Sequence, residues 1–189
     1  MKNQLIILFS LIIIFMTKSF AQNNWDFLWQ QNLDTSVTAV SLSPDGSKMA
    51  SGDYIGKIRV WDSSTGTLLW ENEHEAQIVA IAFSPDGSKI VTADKYYLIK
   101  VWDSSTGFLF WAGYLSEYIN NRIYFSADGK KVAAASTSRI KVWDLSTGTL
   151  LWGKKVKTIF SFSLNPAGNK AVIGYYHGKV ELWDIKSDS

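Results

Sequence analysis

Apolar and polar positions along this chain group into short runs, bounded by turn residues, and this spacing predicts strands rather than helices. Between residues 78 and 111 the pattern is clearest. Ile78 to Phe83 (IVAIAF) is apolar and β-prone, and Pro85-Asp86-Gly87 makes a turn. Lys89 to Ala93 (KIVTA) reads as a second strand, and Leu98 to Trp102 (LIKVW) alternates as a third. Asp103 to Gly107 (DSSTG) forms another turn, with Asp opening it and Gly supplying a positive φ. Phe108 to Trp111 completes the set as a fourth strand. No segment carries a convincing helical period.

The same pattern is written four times. Trp29, Trp70, Trp111 and Trp152 follow one another at intervals of 41 residues, and Trp61, Trp102, Trp143 and Trp183 at 41, 41 and 40. SPDGSK stands at 43–48 and 84–89, and decays to SADGKK (126–131) and NPAGNK (165–170). VWDSSTGTLLW (60–70) returns as VWDSSTGFLFW and VWDLSTGTLLW, then restarts at Leu182. A period of about 40 residues with four strands each predicts the blades of a β-propeller, in units of roughly 30–70, 71–111, 112–152 and 153–184.

These residues resemble the WD-repeat propeller family over Trp25 to Asp184. The resemblance rests on the Trp-Asp dipeptides at 61–62, 102–103, 143–144 and 183–184, and on the SPDG turns ahead of them. His74 stands where that family places the His of its Gly-His dipeptide. The family's buried Asp-His-Ser/Thr-Trp network would need an Asp at Ile55, Tyr96, Thr137 and His177, so its absence from every blade is expected. Trp-Asp-x-x-Thr-Gly-x-x-x-Trp at 61–70, 102–111 and 143–152 is also similar to the docking motif of quinoprotein dehydrogenase propellers. That likeness implies Trp side chains wedged between blades. All eight ladder tryptophans (Trp29, Trp61, Trp70, Trp102, Trp111, Trp143, Trp152 and Trp183) are therefore read as structural.

The strand inventory bears on closure. An outer strand follows units one, two and three, whereas Ile185 to Ser189 is too polar to serve unit four. The unassigned outer strand is WDFLWQQ at 25–31. The expected fold is all-β: four WD-type blades of four-stranded antiparallel sheets, closed by the N-terminal strand either in cis or in a homodimer forming an eight-bladed ring. A fragment of a longer propeller is the third reading.

Residues 1–21 are read as a secretory signal peptide, with Lys2 ahead of an apolar run from Leu5 to Met16 and Ser19-Phe20-Ala21 at the cleavage site. An uncleaved anchor is the alternative. Without Lys2 and Lys18, 19 basic residues become 17 against 17 acidic. The expectation is a secreted or periplasmic protein with no membrane association after cleavage and no nucleic-acid partner.

Absence of Cys and the presence of only two His exclude disulfide frameworks, thiolate zinc sites and cysteine nucleophiles. No phosphate loop, nucleophile elbow or zinc-protease motif occurs. Asp45, Asp86 and Asp128, like Asp62, Asp103 and Asp144, recur in turn positions and read as turn caps. Residues that differ between units are better functional candidates. Tyr54, Tyr96, Tyr97, Tyr175, Tyr176 and His177 fall in turns between second and third strands, and His74, Tyr114 and Tyr118 in links between blades. Both sets emerge on one rim and suggest a protein- or peptide-binding surface; the competing reading is that the rings cover turns that lost a structural Asp. Lys154, Lys155 and Lys157 read as a solvated basic loop. The expected function is a non-catalytic binding or scaffolding module without cofactor or metal. The alternative is a quinoprotein-like enzyme.

Overall fold

A computed structural model describes residues 28–115, 119–156 and 158–185. The segment 1–21, Trp25, Tyr118 and Lys157 lie outside the described residues. Blade 1 is β1 (Val37–Leu42), β2 (Lys48–Asp53), β3 (Lys57–Asp62) and β4 (Leu68–Glu73). Blade 2 is β5 (Ile78–Phe83), β6 (Lys89–Asp94), β7 (Leu98–Asp103) and β8 (Leu109–Tyr114). Blade 3 is β9 (Ile119–Phe125), β10 (Lys131–Ser136), β11 (Arg139–Asp144) and β12 (Leu150–Lys155). Blade 4 shows β13 (Ile159–Leu164), β14 (Lys170–Tyr175) and β15 (Val180–Asp184). Each sheet is an antiparallel meander in chain order, so the first three have four strands and the last has three among the described residues.

The alternation read in the sequence is the alternation of two buried faces. On β7, Ile99 and Val101 point toward blade 3, and Trp102 packs toward blade 1, so both faces of the strand are covered. Three clusters fill the gaps between successive blades. The first junction is built on Ile58, Val60, Ile78 and Ile81, the second on Val91, Val101, Val132 and Trp143, and the third on Ile140, Val142, Phe162 and Ile173. Hydrophobic burial between sheets thus holds the blades side by side.

The SPDG turns are tied as the sequence suggests. Ser84 Oγ donates to Asp86 Oδ1 (2.5 Å), and the same oxygen accepts from Ser88 N (3.0 Å). The carboxylate therefore satisfies turn donors that strand pairing cannot. Asp62 Oδ1 likewise accepts from the backbone of Ser64 (3.0 Å) and Thr65 (2.9 Å). These hydrogen bonds hold the carboxyls of Asp45 and Asp62 down at about 2.

The outer strand expected at 25–31 is not formed over its described part, since residues 28–36 carry no strand. Its backbone has no sheet edge beside it: β15 pairs only with β14. Trp29 nevertheless occupies a blade junction. Its Nε1 donates to Ser63 O (2.7 Å), as Trp70 Nε1 does to Ser104 O (3.0 Å) and Trp111 Nε1 to Leu145 O (2.9 Å). Gly66, Gly107 and Gly148 lie under these rings at φ near +70°, and a Cβ there would sit 2.8 to 2.9 Å from indole atoms. That close approach explains the Thr-Gly ahead of each outer strand.

Candidate protein-binding rim

The turns between second and third strands all lie at one end of the blades, with the start of the first strand and the end of the outer strand beside them. The rim residues divide into two sets. Tyr54, Tyr96, Tyr114, Tyr176 and His177 are exposed. His74 is buried, and Tyr97 and Tyr175 are half-buried.

His74 corrects two expectations together. It is buried rather than presented on the rim, and it completes the four-residue network expected to be absent. Its Nδ1 lies 3.0 Å from Asp94 Oδ2 and its Nε2 2.8 Å from Thr92 Oγ1, which also accepts from Trp102 Nε1 (2.8 Å). The Asp comes from the end of β6, two residues ahead of the position the resemblance implied. From there its other oxygen caps the turn through Tyr96 N (2.8 Å) and Leu98 N (3.0 Å). Burial, the dominant influence, holds the imidazole pKa below its ordinary value against the opposing pull of Asp94.

Other blades meet the same need differently. In blade 1, Asp53 stands at the Asp94 position and pairs with Arg59 Nη1 (2.9 Å), while Ser51 accepts from Trp61 Nε1 (3.1 Å). In blade 4 the position holds Tyr175, whose hydroxyl donates to Glu181 (2.6 Å), and Glu181 also accepts from Trp183 Nε1 (2.8 Å). Burial first, then the Glu181 carboxylate, push the Tyr175 phenol up to about 12. Lys179, Tyr175 and Trp183 bring Glu181 down to about 2. Tyr175 is thus a covering residue in a blade without the Asp. Tyr97 adopts φ 73° and packs on the cluster between blades 2 and 3.

A cavity of about 510 Å³ opens beside this network, lined by Lys154, Val156, Thr158, His177, Lys179 and Trp183 among others. The Lys154 ammonium sits 4.0 Å from the Trp183 ring centroid. Next to it the exposed rings of Phe160 and Tyr176 meet edge-on at 6.0 Å, and Tyr176 meets His177 at 5.8 Å. Phe160, Lys179 and Glu181 were not among the sequence candidates. Phe160 lies inside a strand pattern, where an aromatic ring reads as core. Among the described residues no three His, Asp or Glu side chains are placed to hold a metal ion.

Comparison with known proteins gives the family. The model of the family described as "Nucleolar protein 10-like, N-terminal domain" matches residues 14–145, more than half of the chain. The chain belongs to this β-propeller family. Its fold is that of WD-repeat propellers. The computationally designed Ika4 protein is 28% identical with a TM-score of 0.72, over 85% of this chain and 99% of that one. Designed Ika8 is 29% identical with a TM-score of 0.70, over 82% of this chain and 48% of its own. The WD40 repeats of RRP9 superpose with a TM-score of 0.67 at 17% identity, over 84% of this chain and 51% of theirs, a likeness of fold alone. The chain therefore spans about half the length of the last two. Among curated proteins there is no significant match.

The family match corrects the expectation of a secreted or periplasmic protein. The family takes its name from a nucleolar protein, and its model begins at residue 14, inside the segment 1–21 read as a signal peptide. An apolar run followed by small residues satisfies the sequence pattern for export without being specific to it.

Proposed function

We propose that this propeller is a non-catalytic protein-binding scaffold that presents its partner with the rim over blades 2 to 4. The observation that carries the reading is the exposed aromatic pair Tyr176 and His177 beside a cavity edged by Lys154 and Lys179. Tyr96 and Tyr114 extend it along the same end of the blades. Rigid aromatic rings contribute contact area with little loss of conformational freedom, and such rings dominate protein interfaces. A partner segment with apolar side chains and an acidic group would fill the cavity and pair with the two lysines. The name of the family supports a nucleolar setting for this scaffold.

The test compares proteins captured by the wild-type chain with those captured by a Tyr176→Ser, Tyr96→Ser, Tyr114→Ser variant. Loss of a specific partner with unchanged thermal melting supports the rim. Capture that survives the triple substitution, or melting that collapses with it, counts against it.

A further inference from the structure

The internal repeats show which blade faces are sealed and which are not. On the third strands of blades 1 to 3, Ile58 and Val60, Ile99 and Val101, and Ile140 and Val142 are 0–1% exposed beneath the first strand of the next blade. Their counterparts in blade 4, Val180 and Leu182, are 70% and 68% exposed. Val172 on β14 stands where Ala50, Val91 and Ala133 are fully buried. The opposite end is the complement. Val37, Val40 and Leu42 of β1 are 46%, 66% and 63% exposed, whereas Ile78, Ile81 and Phe83 in the same positions of β5 are at most 8% exposed. Each open face is of the kind that covers the other within the chain. Because both are exposed, they do not cover each other in one copy.

Trp29 adds a separate observation. In the two internal junctions shown in the same detail, this indole belongs to the outer strand of the preceding blade. The accompanying amide repeats as well: Asn72 Nδ2 donates to Gly107 O (2.8 Å), and Gln31 Nε2 to Gly66 O (3.3 Å). The Trp29 segment therefore lies where the outer strand of a blade preceding blade 1 belongs. Within the described residues, blade 4 is the blade with a third strand and no fourth.

We infer that two copies of this chain close one eight-bladed ring, with the Val172, Val180 and Leu182 face of each seated on the Val37, Val40 and Leu42 face of the other. The Trp29 segment of each copy then becomes the fourth strand beside β15 of the other. The two junctions are equivalent under a twofold axis, so assembly stops at two. Pairing also removes the open edge of β15, which left unpaired invites aggregation. The inference rests on the scaffold reading but is tested apart from it, because Tyr176, Tyr96 and Tyr114 lie off these faces; Phe160, at the position of the buried Val79, shares the Val172 and Leu182 face.

The experiment is light scattering on the full 189-residue chain, with the expected mass twice 21.2 kDa. Leu182→Glu and Val40→Glu should each give the single-chain mass with unchanged circular dichroism, since neither side chain packs in an internal junction. Because the chain has no Cys, V40C and L182C provide a check that does not depend on how the charged variants fold. A bis-maleimide should join a mixture of the two single variants into a species of double mass. A wild-type mass of 21.2 kDa, double mass retained by both Glu variants, or cross-linking only within one chain of the V40C/L182C double variant overturns the inference. Partner capture that survives the rim substitutions at constant double mass counts against the rim alone.

Discussion

Trp70 Nε1 donates to the carbonyl of Ser104 across the junction between blades 1 and 2, at 3.0 Å, with the indole resting on Gly107. The ring also tilts against Trp102 at 6.4 Å. One side chain thereby joins an outer strand to the turn of the following blade. Trp70→Ala removes this bulk from a buried site and should destabilise the chain by about 3–5 kcal/mol. Urea unfolding measures it, and a loss below about 1 kcal/mol would contradict the wedge.

Gly107→Ala tests the same junction from beneath. A Cβ there would stand 2.8 Å from Asn72 Nδ2 and 2.9 Å from the Trp70 ring, at a φ of +73° that L residues avoid. Melting should fall clearly, whereas Gly46→Ala, with the same sign of φ but open space around it, should cost less.

The His74 network gives a pH dependence. Its folded-state pKa lies below the ordinary 6.5, so the unfolded chain binds the proton more readily. The stability associated with the neutral ring is complete above about 6.5 and declines as pH falls through the lowered folded value. His74→Phe should cost about 1–3 kcal/mol at pH 7.5 by leaving Asp94 and Thr92 short of a partner. It should also flatten the decline expected of the wild type as pH falls below about 6.5, which urea titrations would measure.

The turn aspartates act lower on the pH scale. Asp45 and Asp62 sit near 2 in the folded chain against 3.8 unfolded. Their contribution is therefore full above about pH 4 and is lost as pH falls toward 2. Asp62→Asn should lower the melting temperature at pH 7 and make little difference at pH 2, which calorimetry at the two pH values would show.

Tyr175 supplies a spectroscopic check on blade 4. Its phenol, raised to about 12 by burial and by Glu181, should titrate closer to 10 in Glu181→Gln. An NMR titration of ring-labelled tyrosine would resolve it, and an unmoved Tyr175 would break the proposed bridge to Trp183.

Much of this was legible in the residues, for physical reasons that differ by position. The two Trp ladders recur because every junction needs the same wedge, so periodicity alone located Trp29, Trp70 and Trp111. The SPDG and DSSTG turns were readable because an Asp and a Gly do fixed work there. Asp94 was missed because it lies at a strand end, two residues ahead of the position expected, where one carboxylate serves both His74 and the turn. Phe160 was missed because a strand pattern shows which residues share a face and not whether another blade lies over it. The same blindness hid the exposure of Val180 and Leu182. The expectation of a secreted or periplasmic location failed because an apolar run is compatible with export without requiring it.

The central claim is that partners are bound at the aromatic rim, and site-specific photo-crosslinking tests it most directly. A photoreactive phenylalanine analogue placed at Tyr176 or Tyr96 should form a covalent adduct with a partner protein. The same analogue at exposed Leu68, on the outer strand of blade 1, should give none. Adducts from Leu68 but not from the rim would contradict the account.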